Sequence, residues 1–445
     1  MKTYILILTT FLMMIFCSGV SASNYGDTFG ASPKGMSLGN AMCARADDWS
    51  SVYYNMAGLG RTRHLKNGIN QVSLSYQGNM PKFDINIERY DSSGNELTTN
   101  GADDLEGGTF VLGVALDAGL LFNLPSIISS ARLGIGLGAN DDLTAVTIND
   151  VDPRTHTFLR YGRDCQRLVV LTGVGIGLMD DLVGIGVGVH SAFGGEGSVL
   201  LQDIGLETDE QRPRGQAKMD MTIEPNILFG SYLDLGKLIK RVDGLYVGFS
   251  YRGESILEIY PFSTIGQVEL GNVPLNMTLA LTDYYQPEMF TIGTAFYTGL
   301  ITLSFDLEYQ RWSGFRLSKP MAAVFSDEPV DFDDIWIPRI GLEVNACGQM
   351  SFLMGYYYQA SFVPDKAVDG AMNFLDNDKH VCSLGISMAL PSLSIMKGHT
   401  ELNLGYQLQY LVERDVTKNS PDSYNPEYSY DGMCHSFMIG VSVSR

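Results

Sequence analysis

The feature that most constrains this chain is a period of two that runs too long for a soluble strand. In "ITLSFDLEYQRW", Ile301, Leu303, Phe305, Leu307 and Tyr309 fall on one face, and Thr302, Ser304, Asp306, Glu308 and Gln310 on the other. In "TELNLGYQLQYLV", Thr400 to Val412 repeats the pattern against Glu401, Asn403, Gly405, Gln407 and Gln409. Shorter versions recur at Val72, Leu74, Tyr76; at Leu245 to Tyr251; and at Phe437 to Val443. Soluble strands run about 5–6 residues. A membrane strand of about 9–11 residues, apolar outside and polar inside, fits better.

A secreted β-sandwich also alternates, with one face in its core. Length, aromatics near strand ends (Tyr309, Trp312, Trp336, Tyr356 to Tyr358) and strands that continue to the last residues favour a closed barrel. Candidate strands begin near residues 68, 108, 131, 165, 183, 217, 243, 264, 287, 300, 335, 350, 379, 400 and 433. That is one more than an even-numbered barrel allows. The weakest lie near 108 and 264, and fourteen is the expected number. Asp327 to Asp334, Val363 to Asp378 and Asp415 to Asp431 read as loops. Leu120 to Ala131 is apolar without alternation, and reads as a short helix in a loop or a membrane-edge segment.

The N-terminus sets the compartment. Lys2, the apolar run Tyr4 to Phe16 and the small residues Val20-Ser21-Ala22 read as a secretory signal peptide over residues 1–22. The formal net charge of −20 argues against nucleic acid as a partner. Beyond the signal, Cys43, Cys165, Cys347, Cys382 and Cys434 are odd in number and show no staple spacing. The six histidines are scattered, and no metal, nucleophile or phosphate motif is present. His190 and Ser191 are adjacent on a strand and point apart. No catalytic residue, metal or cofactor is expected.

Glycine marks one sector. Gly134, Gly136 and Gly138 share a face, as do Gly173, Gly175, Gly177 and Gly184, Gly186, Gly188. Aliphatic residues take the other face, so three strands share a side-chain-free inner wall. Two readings stand: a cavity wall beside a plug or ligand path, or glycine that lets a narrow barrel fill.

The segment "GMSLGNAMCARADDWSSVYYNMAGL" breaks the strand pattern. It resembles the hatch of the outer-membrane long-chain fatty-acid and aromatic-hydrocarbon transporters, the FadL/TodX family, with its Gly-rich start, Asp pair and Asn-Pro-Ala turn. "GLYVGFSYRGE", "QPEMFTIGTAFYT", "LSFDLEYQRWSGF", "NDKHVCSLGIS" and "DGMCHSFMIGVSV" resemble that family's strands, in order. The resemblance implies a 14-stranded all-β barrel over 66–445, plugged by a hatch over 23–65. It implies a monomer of the bacterial outer membrane whose partners are membrane lipids and hydrophobic small molecules, fatty acids or hydrocarbons, released sideways. A structural or adhesive barrel and a general porin are the alternatives.

The resemblance assigns hatch and gating roles to Gly35, Gly39, Asp47, Asp48, Asn55, Met56, Ala57 and Gly58. Met56 stands where the family turn has proline, so this turn is expected to be looser, or held by Asn55 alone. A fatty-acid carboxylate would need a buried cation. The candidates are Arg160, Arg252 and Lys319. Arg252 is expected to face the lumen, held either by cargo or by a wall or hatch carboxylate.

Overall fold

The computed structural model describes residues 22–23, 25–62, 69–90, 96–98, 106–140, 156–158, 166–167, 169–202, 214–239, 244–266, 275–315, 331–364, 373–391, 398–417 and 427–445. Of the residues read as a signal peptide (1–22), 1–21 lie outside them, as do Cys165, Arg160 and Lys319.

Fourteen antiparallel strands close a ring. They are β1 (Gln71–Tyr90), β2 (Gly107–Asp117), β3 (Ile128–Asn140), β4 (Val169–Leu178), β5 (Val183–Gln202), β6 (Arg214–Asp234) and β7 (Leu245–Arg252). β8 (Glu288–Tyr297), β9 (Ile301–Arg311), β10 (Ile335–Asn345), β11 (Met350–Gln359), β12 (Lys379–Leu390), β13 (His399–Thr417) and β14 (Glu427–Ser444) complete it. Each strand pairs with the next, and Gln71 opposite Ser444 joins β14 to β1. Closure satisfies every ladder without an edge, which hydrocarbon requires.

The region near residue 264 is strand, but not a ring member. Ser255–Gly266 and Leu275–Gln286 form a hairpin inserted between β7 and β8, and β7 pairs directly with β8. Alternation reports that a segment is extended; it carries no information on which neighbour it joins. The expectation near 108 is the ring strand β2.

Burial is inside out. On β9, Leu303 and Phe305 are 44% and 47% exposed, while Ser304 and Asp306 are 1% and 2% exposed. A soluble sheet would bury the apolar face, so lipid must cover it here. A row of rings crosses the outer face from Tyr251 through Phe290 and Tyr309 to Trp336, each opposite the next. Trp312 departs from this girdle. It is buried, stacked on Phe362 at 3.8 Å with the planes 6° apart.

Short turns and the C-terminus share one end, with Asn70 and Arg445 exchanging backbone hydrogen bonds. Barrels of this kind place short turns on the periplasmic side. At that end a 3-10 turn, Ala118–Leu120, capped by Asp117, leads into the segment Leu120 to Ala131, whose Leu120 to Phe122 stay exposed and whose Ile128 to Ala131 already belong to β3.

The N-terminal segment 25–62 lies inside the ring. Its short helices are α1 (Tyr25–Thr28), α2 (Pro33–Ser37) and α3 (Ser51–Tyr54), followed by a 3-10 turn, Met56–Gly60. The wall makes room for it with glycine. A Cβ at Gly134 would strike Val52, one at Gly138 Tyr25, and one at Gly173, Gly175, Gly186 or Gly188 would strike Met56. Gly230, Gly248, Gly355 and Gly405 meet Asn55, Cys43, Gly39 and Pro33 in the same way. The glycine wall is therefore one sector of a belt against the plug. Gly184 differs, because it faces the Tyr232 ring of β6.

Gly186→Val is expected to force the plug off the wall, because the new Cβ meets the Met56–Ala57 backbone rather than a flexible side chain. Overpacking of this kind costs about 1–3 kcal/mol. Ile185→Val on the lipid face should change stability by under about 0.5 kcal/mol, as surface substitutions do. Thermal unfolding followed by heat-modifiable gel mobility distinguishes the two.

Candidate functional site

The hatch holds its shape through local caps and long-range ties. Ser32 caps α2 by accepting from Gly35 N at 3.1 Å, and Pro33 opens the helix. The chain then turns through two left-handed residues, Gly39 at φ 60° and Asn40 at φ 61°. At Gly39 the hatch backbone lies against Gly355 and Tyr356, leaving no space for a side chain. Tyr54 OH donates to Asn40 Oδ1 at 2.8 Å and accepts from Ala31 N at 3.0 Å. That one hydroxyl joins the two halves of the hatch. Asp48 accepts from Ser50 N at 2.9 Å, and the Asp47 carbonyl accepts from Arg132 at 2.6 Å.

The Asn-Met-Ala-Gly turn is tight, not loose. Asn55 Oδ1 accepts from Ala57 N at 3.1 Å, and its Nδ2 donates to Cys43 O at 2.7 Å and to Ser231 O of β6 at 3.0 Å. Met56 is 2% exposed, its thioether seated between Gly173 and Gly188. A flexible thioether fits such an irregular socket. Gly58 packs under the Ala46 carbonyl, where a Cβ has no room. Asn55 therefore does not act alone: where the family turn has a ring that fixes φ, this one has a side chain keyed into the wall.

Several wall residues grip the hatch. Arg132 of β3 donates to the carbonyls of Asp47, Gly58, Leu59 and Arg61. Asp306 of β9 accepts from Cys43 N at 2.8 Å, and Gln409 of β13 donates to Thr28 O at 2.7 Å. Arg45 pairs with Glu343 of β10. Burial pushes the Cys43 thiol well above its ordinary range, so it stays protonated, 3.6 Å from Thr291 O.

Arg252 faces the lumen, as its alternation with Phe249 and Tyr251 implied. Its guanidinium meets Asp27 Oδ1 at 2.5 Å, donates to Tyr53 O at 2.9 Å and lies 4.1 Å from the Tyr53 ring centroid. Among the three cations proposed for a cargo carboxylate, it is the one in the described residues, and a hatch carboxylate already holds it. Arg132, Arg339 and Lys379 are further buried wall cations that the sequence reading passed over. Period-two counting finds the first two: Arg132 shares a face with Gly134 and Gly136, and Arg339 with Gly341 and Glu343.

Above the hatch the lumen has two characters. One side carries a continuous apolar cluster that runs from Tyr428, Tyr430 and Leu411 through Met438, Val111 and Leu171 to the hatch residues Phe29, Met36 and Met56. The other side has a cap of Trp312, Phe315, Phe332 and Phe362 over Ile337 and Tyr357. Arg414 anchors the Phe362 loop through Ser361 Oγ and the carbonyls of Val363, Pro364 and Asp376. A small polar cavity of about 20 Å³, room for roughly one water, adjoins the hatch and is lined by Tyr53, Tyr54, Arg252, Asp306, Glu308 and Arg339 among others.

Two substitutions check the grip on the hatch. Arg132→Met leaves buried carbonyls without donors, at about 1–3 kcal/mol each. It should loosen the hatch and raise single-channel conductance for small ions above that of the parent. Met56→Pro suits the backbone, because Asn55 is extended at φ −160° and ψ 107°. The barrel should still form, but the emptied socket should cost about 2–5 kcal/mol, as core Met truncation does. Faster amide exchange confined to residues 55–60 is the expected readout.

No family model matches the chain. Over 255 residues it is 28% identical to alkane uptake protein A of Marinobacter nauticus. The match covers 54% of this chain and 55% of that protein, so the chain spans about half the length of the curated relative it matches. The fold is shared more widely. A FadL homologue of Pseudomonas aeruginosa superposes at a TM-score of 0.56 with 14% identity, over 96% of this chain and 99% of that one. The CymD monoaromatic hydrocarbon channel gives 0.53 with 13% identity, over 95% and 99%. The toluene transporter TodX of P. putida gives 0.51 with 13% identity, over 94% and 99%. By fold, this chain is a hatch-plugged, fourteen-stranded outer-membrane barrel of the FadL type.

Proposed function

We propose that the chain is a passive channel of the bacterial outer membrane that takes up hydrophobic compounds past a mobile hatch. The observation that carries this reading is the apolar cluster that runs from the outer end of the lumen down to the hatch. A water-filled porin lines its interior with polar groups. Here part of the inner wall is polar, but one side carries a packed apolar cluster that would meet a molecule the polar outer leaflet excludes. No energy source is needed, because the cargo follows its gradient. The likeness to an alkane uptake protein supports the same class of cargo.

In this reading the hatch is the gate. Its wall ties include hydrogen bonds and ion pairs that can exchange, and its apolar residues pack against glycine and against Val111, Leu171 and Leu228 of the wall. A channel is also the reading that leaves the scattered histidines and the absence of a catalytic motif unforced.

Uptake of radiolabelled n-hexadecane by cells carrying the gene, against cells carrying an empty vector, tests the proposal. The expected result is faster uptake with the gene, and leakage of small hydrophilic dyes when residues 25–62 are deleted. An unchanged hexadecane rate, with a hydrophilic solute passing the intact protein freely, would indicate a porin instead.

A further inference from the structure

The cavity beside the hatch combines charges in a way that a fatty-acid binding site would not. Two guanidinium groups, Arg252 and Arg339, line it, and either has the right chemistry to hold a cargo carboxylate. Both are already occupied. Asp27 meets Arg252 at 2.5 Å, and Glu308 meets Arg339 at 2.8 Å. A third carboxylate, Asp306, also lines the cavity and is 2% exposed. It accepts from Cys43 N, and its Oδ1 has no hydrogen-bond partner among the described residues.

We infer that this layer is a charge filter: it admits neutral hydrocarbons and turns away carboxylates, with Glu308 and Asp306 as the residues that set the specificity. The inference rests on the uptake function proposed above and names the cargo of that channel. Two cations facing three carboxylates give an entering anion no net attraction. Away from bulk water such charges act strongly on one another. A buried carboxylate needs a cation or several donors of its own. To obtain one here, cargo would have to displace Asp27 or Glu308 and leave that group buried without its partner. A neutral chain needs no partner and disturbs neither pair. Arg252 is a poor place for cargo to compete, because Asp27 also fastens the hatch through it.

The positions of the two acids follow from strand geometry. Asp306 and Glu308 are two residues apart on β9, so both face the lumen. Asp306 lies opposite Arg339 of β10 in register, and Glu308 reaches that same arginine. Glu308→Gln would therefore leave the Arg339 guanidinium without its counter-charge beside the cavity, while keeping an acceptor of nearly the same shape.

The test compares n-hexadecane with hexadecanoate, equal in chain length, in uptake by cells and in binding to the purified full-length protein. The parent should take up hexadecane and leave hexadecanoate at the empty-vector level. Glu308→Gln should raise the ratio of hexadecanoate to hexadecane by about tenfold or more, since the exposed cation is worth at least one charge-assisted bond. Asp306→Asn, which leaves both ion pairs intact, should raise it less. Heat-modifiable mobility on gels shows that each variant has folded. Equal uptake of the two compounds by the parent would overturn the filter and leave the transport function standing. Uptake of neither would overturn the transport function and the filter with it. An unchanged ratio in both folded variants would also overturn the filter.

Discussion

Hydrocarbon offers a backbone no hydrogen-bond partner, and this structure depends on that constraint. A sheet in lipid must close, so every strand has two neighbours and Gln71 meets Ser444. Closure creates an inside, and the inside is where this chain keeps its polar groups. Ser304, Asp306, Glu308 and Gln310 are buried, while Leu303 and Phe305 on the same strand are exposed to lipid. An irregular segment such as 25–62 is tolerable at that depth only because the wall supplies donors and acceptors to it.

The hatch and the wall solve one packing problem together. A ring of fourteen strands leaves too little width for both a peptide plug and a full set of inward side chains. Glycine on the wall removes the side chains where the plug passes, and Met56 fills the gap left between Gly173 and Gly188. Arg132, Asp306 and Gln409 then satisfy hatch backbone groups that have no helix long enough to satisfy them. Those polar ties act beside a buried apolar core that Phe29, Met36, Trp49, Val52 and Leu59 of the hatch share with Val111 and Leu171 of the wall.

Much of this was legible in the residues. Strict alternation placed β9 and β13 and gave the lumenal side of Arg252, because membrane strands have no competing period. The same alternation misassigned the region near 264, since it reports extension and is silent on partners. Trp312 resembled a girdle residue because it follows a long strand. Its burial depends on Phe362, fifty positions away, which no local pattern connects to it. The glycine face was visible, but not what it faces, since the plug lies more than seventy residues earlier in the chain. Arg132 was passed over for a similar reason: its partners are backbone carbonyls, which leave no mark in a sequence.

In the proposed channel the glycine belt seats a hatch that must leave its seat for cargo to pass. Joining hatch to wall tests this most directly. In Val52→Cys/Gly136→Cys, two positions whose side chains would meet across that seat become a disulfide on oxidation. Hexadecane uptake is expected to stop in the oxidised protein and to return when the bond is reduced. Uptake that proceeds at the same rate with the hatch tethered would contradict it.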